Sequence, residues 1–582
     1  MKSFTLKTLT VAIVSTISFS AVADKYEIEE IPTADNFRHS FAKDINAQEF
    51  VVGVSRLPTD VELDLTKISP AILQNAGIAD IEEVDTLTPE QREYIIQQIA
   101  NERNSEPQQQ RVGINRSYYF DTTVQSIVPF PGNEDQLEDS TDSFFYSINN
   151  QNSAVGYSSA PFGLIEYTYT DGEGEEQTSE FFVSDFITRG VWYNNGETTS
   201  ITPPATDYLG GESALFDIND SGLAAGYASV SVSPRSEERI ANCEPEDEDE
   251  DDIVSAPLQV CAWNIWFETK STGASNIEPF YNPRFGGGRS SFSARRSIYD
   301  VRGFLWQIDA SGEVISQQEL GTLVPRNEED DRDFSSYAFA VNNNGIAVGQ
   351  SWTYHPQRGA IRMPAIFVDG EAVPVTEDEK YFWGSAKDIN DNNQAAGYLV
   401  ENLSGTLRNT AFIYDVDLDE LTMVPGFFTG SSTIIHSINN NGMAVGTGEI
   451  EATLSNVRQR VGFAYDSTDE AAEFINLNDA ISCDSPYDIV EANSINDNGV
   501  ILATALKQEE YQDDSGETQT REVAVTIKLD PVDGELNNCR QEENQIEREG
   551  ASTGLFSLLT LGSLGLLITA IRRRAFLKTK KS

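Results

Sequence analysis

Histidine is nearly missing from this 582-residue chain, which has only His39, His355 and His436. None of the three stands at ligand spacing to a cysteine, which argues against a zinc centre. The chain has no His-Glu-x-x-His and no Gly-x-x-x-x-Gly-Lys, and its one Gly-x-Ser-x-Gly, Gly550 to Gly554, stands directly ahead of an apolar terminal run rather than between a strand and a helix of the body, so the common hydrolase, metalloprotease and nucleotide-loop signatures are not indicated. Basic residues are scarce, 40 against 93 acidic ones. With the eight basic residues of residues 1–23 and 555–582 set aside, the formal charge falls from −53 to −61. A body of that sign repels nucleic acid and anionic membrane surfaces, so no nucleic-acid partner is expected. The acids are spread along the chain, which reads as a solubility device in a salty medium rather than one binding site. Long apolar runs are absent from the body and occur only at the two ends.

Those ends give an address. Lys2, the apolar run from Leu9 to Phe19 and the small-x-small pair Ala21 and Ala23 have the order of a signal peptide over residues 1–23, with Asp24 as the first mature residue. At the other end, 17 uncharged residues from Leu555 to Ile571 reach the lower limit for a bilayer-crossing helix. Arg572, Arg573 and Arg574 follow at once, which places the tail end in the cytoplasm and the body outside it. Export makes the four cysteines, Cys243, Cys261, Cys483 and Cys539, candidates for two disulfides. Three pairings can be drawn, and sequence proximity favours Cys243–Cys261 and Cys483–Cys539.

One phrase recurs seven times along the body. Asp44-Ile45-Asn46 is followed by Gly53, Ser147-Ile148-Asn149 by Gly156, and Asp217-Ile218-Asn219 by Gly226. Ala340-Val341-Asn342 with Gly349, Asp388-Ile389-Asn390 with Gly397, and Ser437-Ile438-Asn439 with Gly446 continue the series. Ser494-Ile495-Asn496 closes it, with Ala503 in place of the glycine. The β-branched residue should point into a core, the asparagine should bond its own turn, and Asn-Gly pairs such as Asn344-Gly345 should join antiparallel strands. The glycine should allow close approach of another backbone. A second phrase follows most copies, as in Arg189-Gly190-Val191-Trp192 and Ala411-Phe412-Ile413-Tyr414, and then another turn and strand. Two hairpins per unit at intervals near 50 residues predict an all-β chain: a β-propeller of about seven four-stranded blades, with long gaps that could hide an eighth.

Together the two phrases resemble the HAF repeats of bacterial extracellular proteins, without the histidine of that family's name. The layout is similar to an uncharacterised family of exported proteobacterial proteins, a domain of unknown function. Gly550, Ala551, Ser552, Thr553 and Gly554, ahead of the apolar run, resemble GlyGly-type C-terminal sorting tails, which an intramembrane protease cuts before surface delivery. The doublet is imperfect, and the alternative is a plain permanent anchor. The resemblance implies an exported protein on the periplasmic side of the inner membrane, or at the cell surface after tail processing. It brings no activity.

The expected organisation is a signal peptide over 1–23, a propeller body over 24–545 and a tail or anchor over 546–582, the last containing a hydrophobic helix. The first long gap should hold a small helical insertion, about 57–110, in which Thr88, Pro89 and Gln91 start a helix with a capping box. The longest gap should hold an acidic loop, about 243–261, stapled by a disulfide.

Chemistry is thin. Asp217, Asn219 and Ser221, and less completely Asp388 and Asn390, open like a calcium loop, but position twelve is Ala228 or Leu399 instead of glutamate. That rejects a helix-flanked site and leaves a looser calcium site against a turn whose polar side chains bond the backbone. No other cofactor is indicated. His436 occupies the slot just before the phrase, where other copies have Lys43, Tyr146, Phe216, Phe339, Lys387 or Asn493. So variable a slot reads as blade surface. The expected function is a non-catalytic envelope or surface platform that holds a protein or glycan, touching the bacterial membrane through its tail. The alternative is a carboxylate-based hydrolase or lyase working in the propeller channel.

Overall fold

The computed structural model describes residues 25–102, 107–244, 254–272, 296–403, 405–451, 459–469, 472–513 and 515–537. Seven four-stranded antiparallel sheets follow one another along the chain. Their inner strands are Phe37–Ile45, Ser143–Ile148, Ser213–Ile218, Ser336–Val341, Tyr381–Ile389, Thr433–Ile438 and Asp488–Ile495, defining blades 1 to 7. Each copy of the phrase ends an inner strand and turns into the second strand. The second phrase is the third strand, as in Arg189–Asn194 and Thr406–Asp415.

Blade 7 is completed from the far end of the chain. Its outer strand is Tyr26–Ile31, paired with Thr518–Pro531 from Tyr26↔Pro531 to Ile31↔Thr526. The first and last strands thus share one sheet, so opening the ring requires breaking a ladder as well as side-chain packing.

The β-branched residue of every phrase is buried: Ile45, Ile148, Ile218, Val341, Ile389, Ile438 and Ile495. Apolar clusters are shared between neighbouring blades, as where Val155 and Trp192 of blade 2 meet Leu215 and Ile218 of blade 3. In the Asn-Gly turns only the glycine takes positive φ, 82° at Gly345 and 79° at Gly442. The hairpin is therefore a five-residue loop, Asn342 to Ile346, rather than the two-residue turn that Asn-Gly favours in isolation.

The long gaps hide no extra blade among the described residues. They are insertions between the second and third strands of blades 1, 2 and 3, at residues 59–114, 159–188 and 233–298. The first carries helices α1 (Pro70–Asn75) and α2 (Pro89–Glu102). Thr88 Oγ1 accepts from Gln91 N and Gln91 Oε1 accepts from Thr88 N, a reciprocal cap at the start of α2. The second is a hairpin, Phe162–Thr170 with Glu176–Ser184. The third carries α3 (Pro234–Ala241) and α4 (Leu258–Thr272), tied by the Cys243–Cys261 disulfide. Most of the acidic stretch after Cys243, Cys539, the signal segment and the apolar tail lie outside the described residues. No described helix is long and apolar enough to cross a membrane.

Candidate functional site: the propeller axis

Three layers of side chains surround the axis, two from the repeated phrase and one from the residue just before it. The first is a closed ring of seven asparagines. Asn46 Nδ2 donates to Asn149 O, Asn149 to Asn219 O, Asn219 to Asn342 O, and Asn342 to Asn390 O, at 2.9–3.0 Å. Asn390 then donates to Asn439 O, Asn439 to Asn496 O, and Asn496 back to Asn46 O, at 3.0–3.1 Å. The Oδ1 of each accepts the N–H groups two and four residues on, as Asn439 does from Asn441 and Met443. The self-bonding turn expected from sequence is present. The link to the next blade is the part that sequence reasoning missed.

The second layer is the residue two before each asparagine. Asp44, Asp217 and Asp388 alternate here with Ser147, Ala340, Ser437 and Ser494. Asp217 accepts from Ser147 Oγ at 2.6 Å and from Val341 N at 2.8 Å, reaching blades 2 and 4 at once. Asp44 accepts from Ser494 Oγ and Ile148 N, and Asp388 from Ile438 N. These carboxyls keep partial exposure toward the axis although protein surrounds them. Burial pushes Asp217 up to about 7; the Asp388 and Asp44 carboxylates add to the rise, while the bonds from Ser147 and Val341 oppose it. Burial likewise raises Asp44 and Asp388 above the usual carboxylate range.

The third layer overturns the sequence reading of the variable slot. Lys43, Tyr146, Phe216, Phe339, Lys387, His436 and Asn493 are not on a blade surface. Together with Glu491 they line a cavity of about 130 Å³. The physical reason is a β-bulge. In every inner strand the register skips this one residue, between Ala42 and Asp44, Phe145 and Ser147, and so on to Ala492 and Ser494. A bulge adds an unpaired residue and re-aims its side chain, so two successive residues of each strand can face the axis. The phrase glycine belongs to the same device. A Cβ on Gly156, Gly226, Gly349, Gly397 or Gly446 would lie 1.9–2.1 Å from the carbonyl oxygen two residues before the bulge. The slot's side chains therefore meet the cavity and, from blade to blade, one another.

The walls are uneven. Blades 2 to 4 supply an aromatic arc, with Tyr146 and Phe216 centroids 5.1 Å apart and Phe216 and Phe339 5.3 Å apart, both edge-on. Lysines flank it, Lys43 Nζ 5.0 Å above the Tyr146 ring and Lys387 Nζ 5.6 Å above the Phe339 ring. Opposite stands a polar arc, where His436 Nε2 lies 3.3 Å from Glu491 Oε1 and 3.1 Å from Thr447 Oγ1.

The inner strands run toward the asparagine ring, so the cavity lies on the other side of the carboxylates, toward the face that carries the three insertions. Those insertions join one another. Phe182 N donates to Pro107 O, Lys67 pairs with Glu180, and Gln259 Nε2 donates to Ser184 O. Trp263 meets Phe162 edge-on at 5.5 Å. Trp266 of α4 donates to the buried Glu212 carboxylate at 2.9 Å, and its apolar cluster runs on to Phe216 and Phe339 of the cavity wall. The blade 3 insertion is thus continuous with the aromatic arc.

The calcium candidates divide between these layers. Asp217 and Asp388 bond neighbouring blades, Asn219 and Asn390 belong to the asparagine ring, and Ser221 donates to Asn219 Oδ1. Among the described residues no group of three or more His, Cys, Asp or Glu side chains stands where it could hold a metal ion.

A search of curated proteins finds no match. Among solved structures, an acylaminoacyl peptidase from Pyrococcus horikoshii is 12% identical over 62% of this chain and 57% of its own, with a TM-score of 0.23. The match thus spans a little over half of the peptidase. A structure titled YjhT is 12% identical over 53% of this chain and 91% of its own, with a TM-score of 0.18. Likenesses this weak carry no argument. A family match, by contrast, runs from residue 3 to residue 574, nearly end to end, and the chain belongs to that family, described as a protein of unknown function (DUF3466).

Proposed function

We propose that the protein is a non-catalytic binding platform of the cell envelope, holding an envelope protein or glycan on the face that carries the insertions and the cavity mouth. The observation that carries this reading is the gathering of all three insertions on one face of blades 1 to 3, in mutual contact beside the axis. Insertions on repeat folds concentrate where partners bind. The outer hairpin offers Leu164 at 40% exposure and the stacked pair Tyr167 and Tyr169. The test passes separated envelope protein and glycan fractions over the immobilised protein. Saturable retention of one fraction, weakened by Tyr167→Ser with Tyr169→Ser, is expected. Retention of neither, with consumption of a substrate, would remove the reading.

The HAF-like repeat and the two ends supply the address in this reading: export by a cleaved signal peptide, then delivery or anchoring through the tail. N-terminal sequencing of the mature protein should begin at Asp24. Intact mass then separates a tail cut near Gly550–Gly554 from one retained through Arg574.

A second reading, a carboxylate-based hydrolase or lyase, is favoured by the raised carboxyls of Asp44, Asp217 and Asp388 at the axis. Their oxygens already accept bonds that tie blades together, which is why binding is preferred. Turnover of a glycoside or ester that vanishes in Asp217→Ser, at unchanged stability, would reverse that preference.

A further inference from the structure

We propose that the axial cavity is a binding site for a small organic carboxylate, received by Lys43 and Lys387 and packed on Tyr146, Phe216 and Phe339. This names the ligand class for the platform described above and rests on that binding role. The chemistry follows from the arrangement of the ring. Two ammonium groups flank an arc of three aromatic side chains, each held over a ring face. Ring faces stabilise the cations while shedding part of their water, so the charges are pre-placed and cheaper to engage than those of solvated surface lysines. Across the cavity the wall is polar, with His436 Nε2 against Glu491 and Thr447 Oγ1 and with Asn493 Oδ1 accepting from Thr504 Oγ1.

The volume limits the ligand. About 130 Å³ is well below the several hundred of a drug-sized site, so the part that enters is a single ring or a short acid. Neighbouring charge does not forbid an anion. The carboxyls of the second layer lie on the asparagine side, and Glu491 in the cavity wall stands across from the lysines with its Oε1 3.3 Å from His436 Nε2. The acidic exterior is screened beyond about 8 Å at physiological salt.

Calorimetry on the full protein tests the assignment with four probes: benzoate and glucuronate as carboxylates, benzyl alcohol and glucose as their neutral counterparts. Benzoate and glucuronate stand for an aromatic acid and a sugar acid, and the tighter of the two identifies the source. The expected result is saturable binding of at least one carboxylate, with its neutral counterpart about tenfold weaker or more, the change a lost charge-assisted hydrogen bond carries. Lys43→Gln with Lys387→Gln should weaken it similarly, whereas Lys387→Arg, which keeps the charge, should retain most of it and guards against a merely misfolded variant. Equal affinity for neutral and charged probes, an undiminished double variant, or no binding of either carboxylate overturns the proposal. Retention of an envelope fraction on the insertion face is measured separately, so either idea can fail alone.

Discussion

Replacing Asn219 by alanine removes one link of the seven-membered ring. The side chain makes four bonds: Nδ2 to Asn342 O at 2.9 Å, and Oδ1 from Ser221 N, Ser221 Oγ and Leu223 N at 2.8–3.0 Å. Asn219 is 7% exposed, so the groups left behind have little access to water. At about 1 kcal/mol per net bond, and more where a buried partner stays unpaired, the loss should be about 3 kcal/mol. Asn219→Asp separates the two jobs. It keeps the acceptor of the turn but loses the donor and sets a charge against the Asn342 carbonyl, so it should be at least as damaging as alanine. An internal control lies one residue further on in blade 2. Asn150 bonds Asp220 through exposed groups, so Asn150→Ala should cost under about 1 kcal/mol. Equilibrium urea unfolding, followed by aromatic fluorescence, reads all three. If Asn219→Ala falls within about 0.5 kcal/mol of the parent, a surface-like value, the ring does not hold the blades together.

Further outcomes are expected from the same geometry. Gly226→Ala would put a Cβ 1.9 Å from Ala214 O, and relieving that clash against the backbone should cost about 2–3 kcal/mol of stability in urea unfolding, whereas Ala503→Gly in the copy without the glycine should cost about 1 kcal/mol or less. Because the folded carboxyl of Asp217 is raised from 3.8 to about 7, the native state binds its proton more tightly than the unfolded chain; stability should fall as pH rises from about 4 to 7 and level off above, and Asp217→Ser, the residue of three other copies, should flatten that slope. Cys243→Ser with Cys261→Ser opens a closure of sequence separation 18, which should lower stability by about 3 kcal/mol and expose α3 and α4 to limited proteolysis. Deleting the segment through Ile31 strips blade 7 of its outer strand and bares the edge of Thr518–Pro531, so concentration-dependent association should appear in size exclusion.

The blade count was legible because each blade carries its phrase at the same corner, where strand alternation, an asparagine turn and, in all but the seventh copy, a glycine coincide. The closing strand was not, since Tyr26–Ile31 has no phrase of its own and its partner lies some five hundred residues away in the chain. The asparagines showed their local role but not the inter-blade bond, because that bond exists only once the ring is closed. The variable slot was misread for a related reason. Variation alone does not tell solvent from cavity, and the bulge that turns Lys43 or His436 to the axis is a matter of register, invisible to a period-two reading of the strand. The insertions of blades 1 and 3 were visible as long gaps, whereas the hairpin of blade 2 was not singled out. Their common face followed only when each gap proved to be the second-to-third-strand connection.

The scarcity of histidine provides the most direct measurement. Of the three imidazoles, only that of His436 lines the axial cavity; His39 and His355 are buried elsewhere. With isotope-labelled histidine, an NMR titration of the protein with benzoate or glucuronate follows all three rings at once. Movement of the His436 resonances alone, saturating with ligand, is the outcome the account predicts. Saturable binding that moves His39 or His355 and leaves His436 still would contradict it.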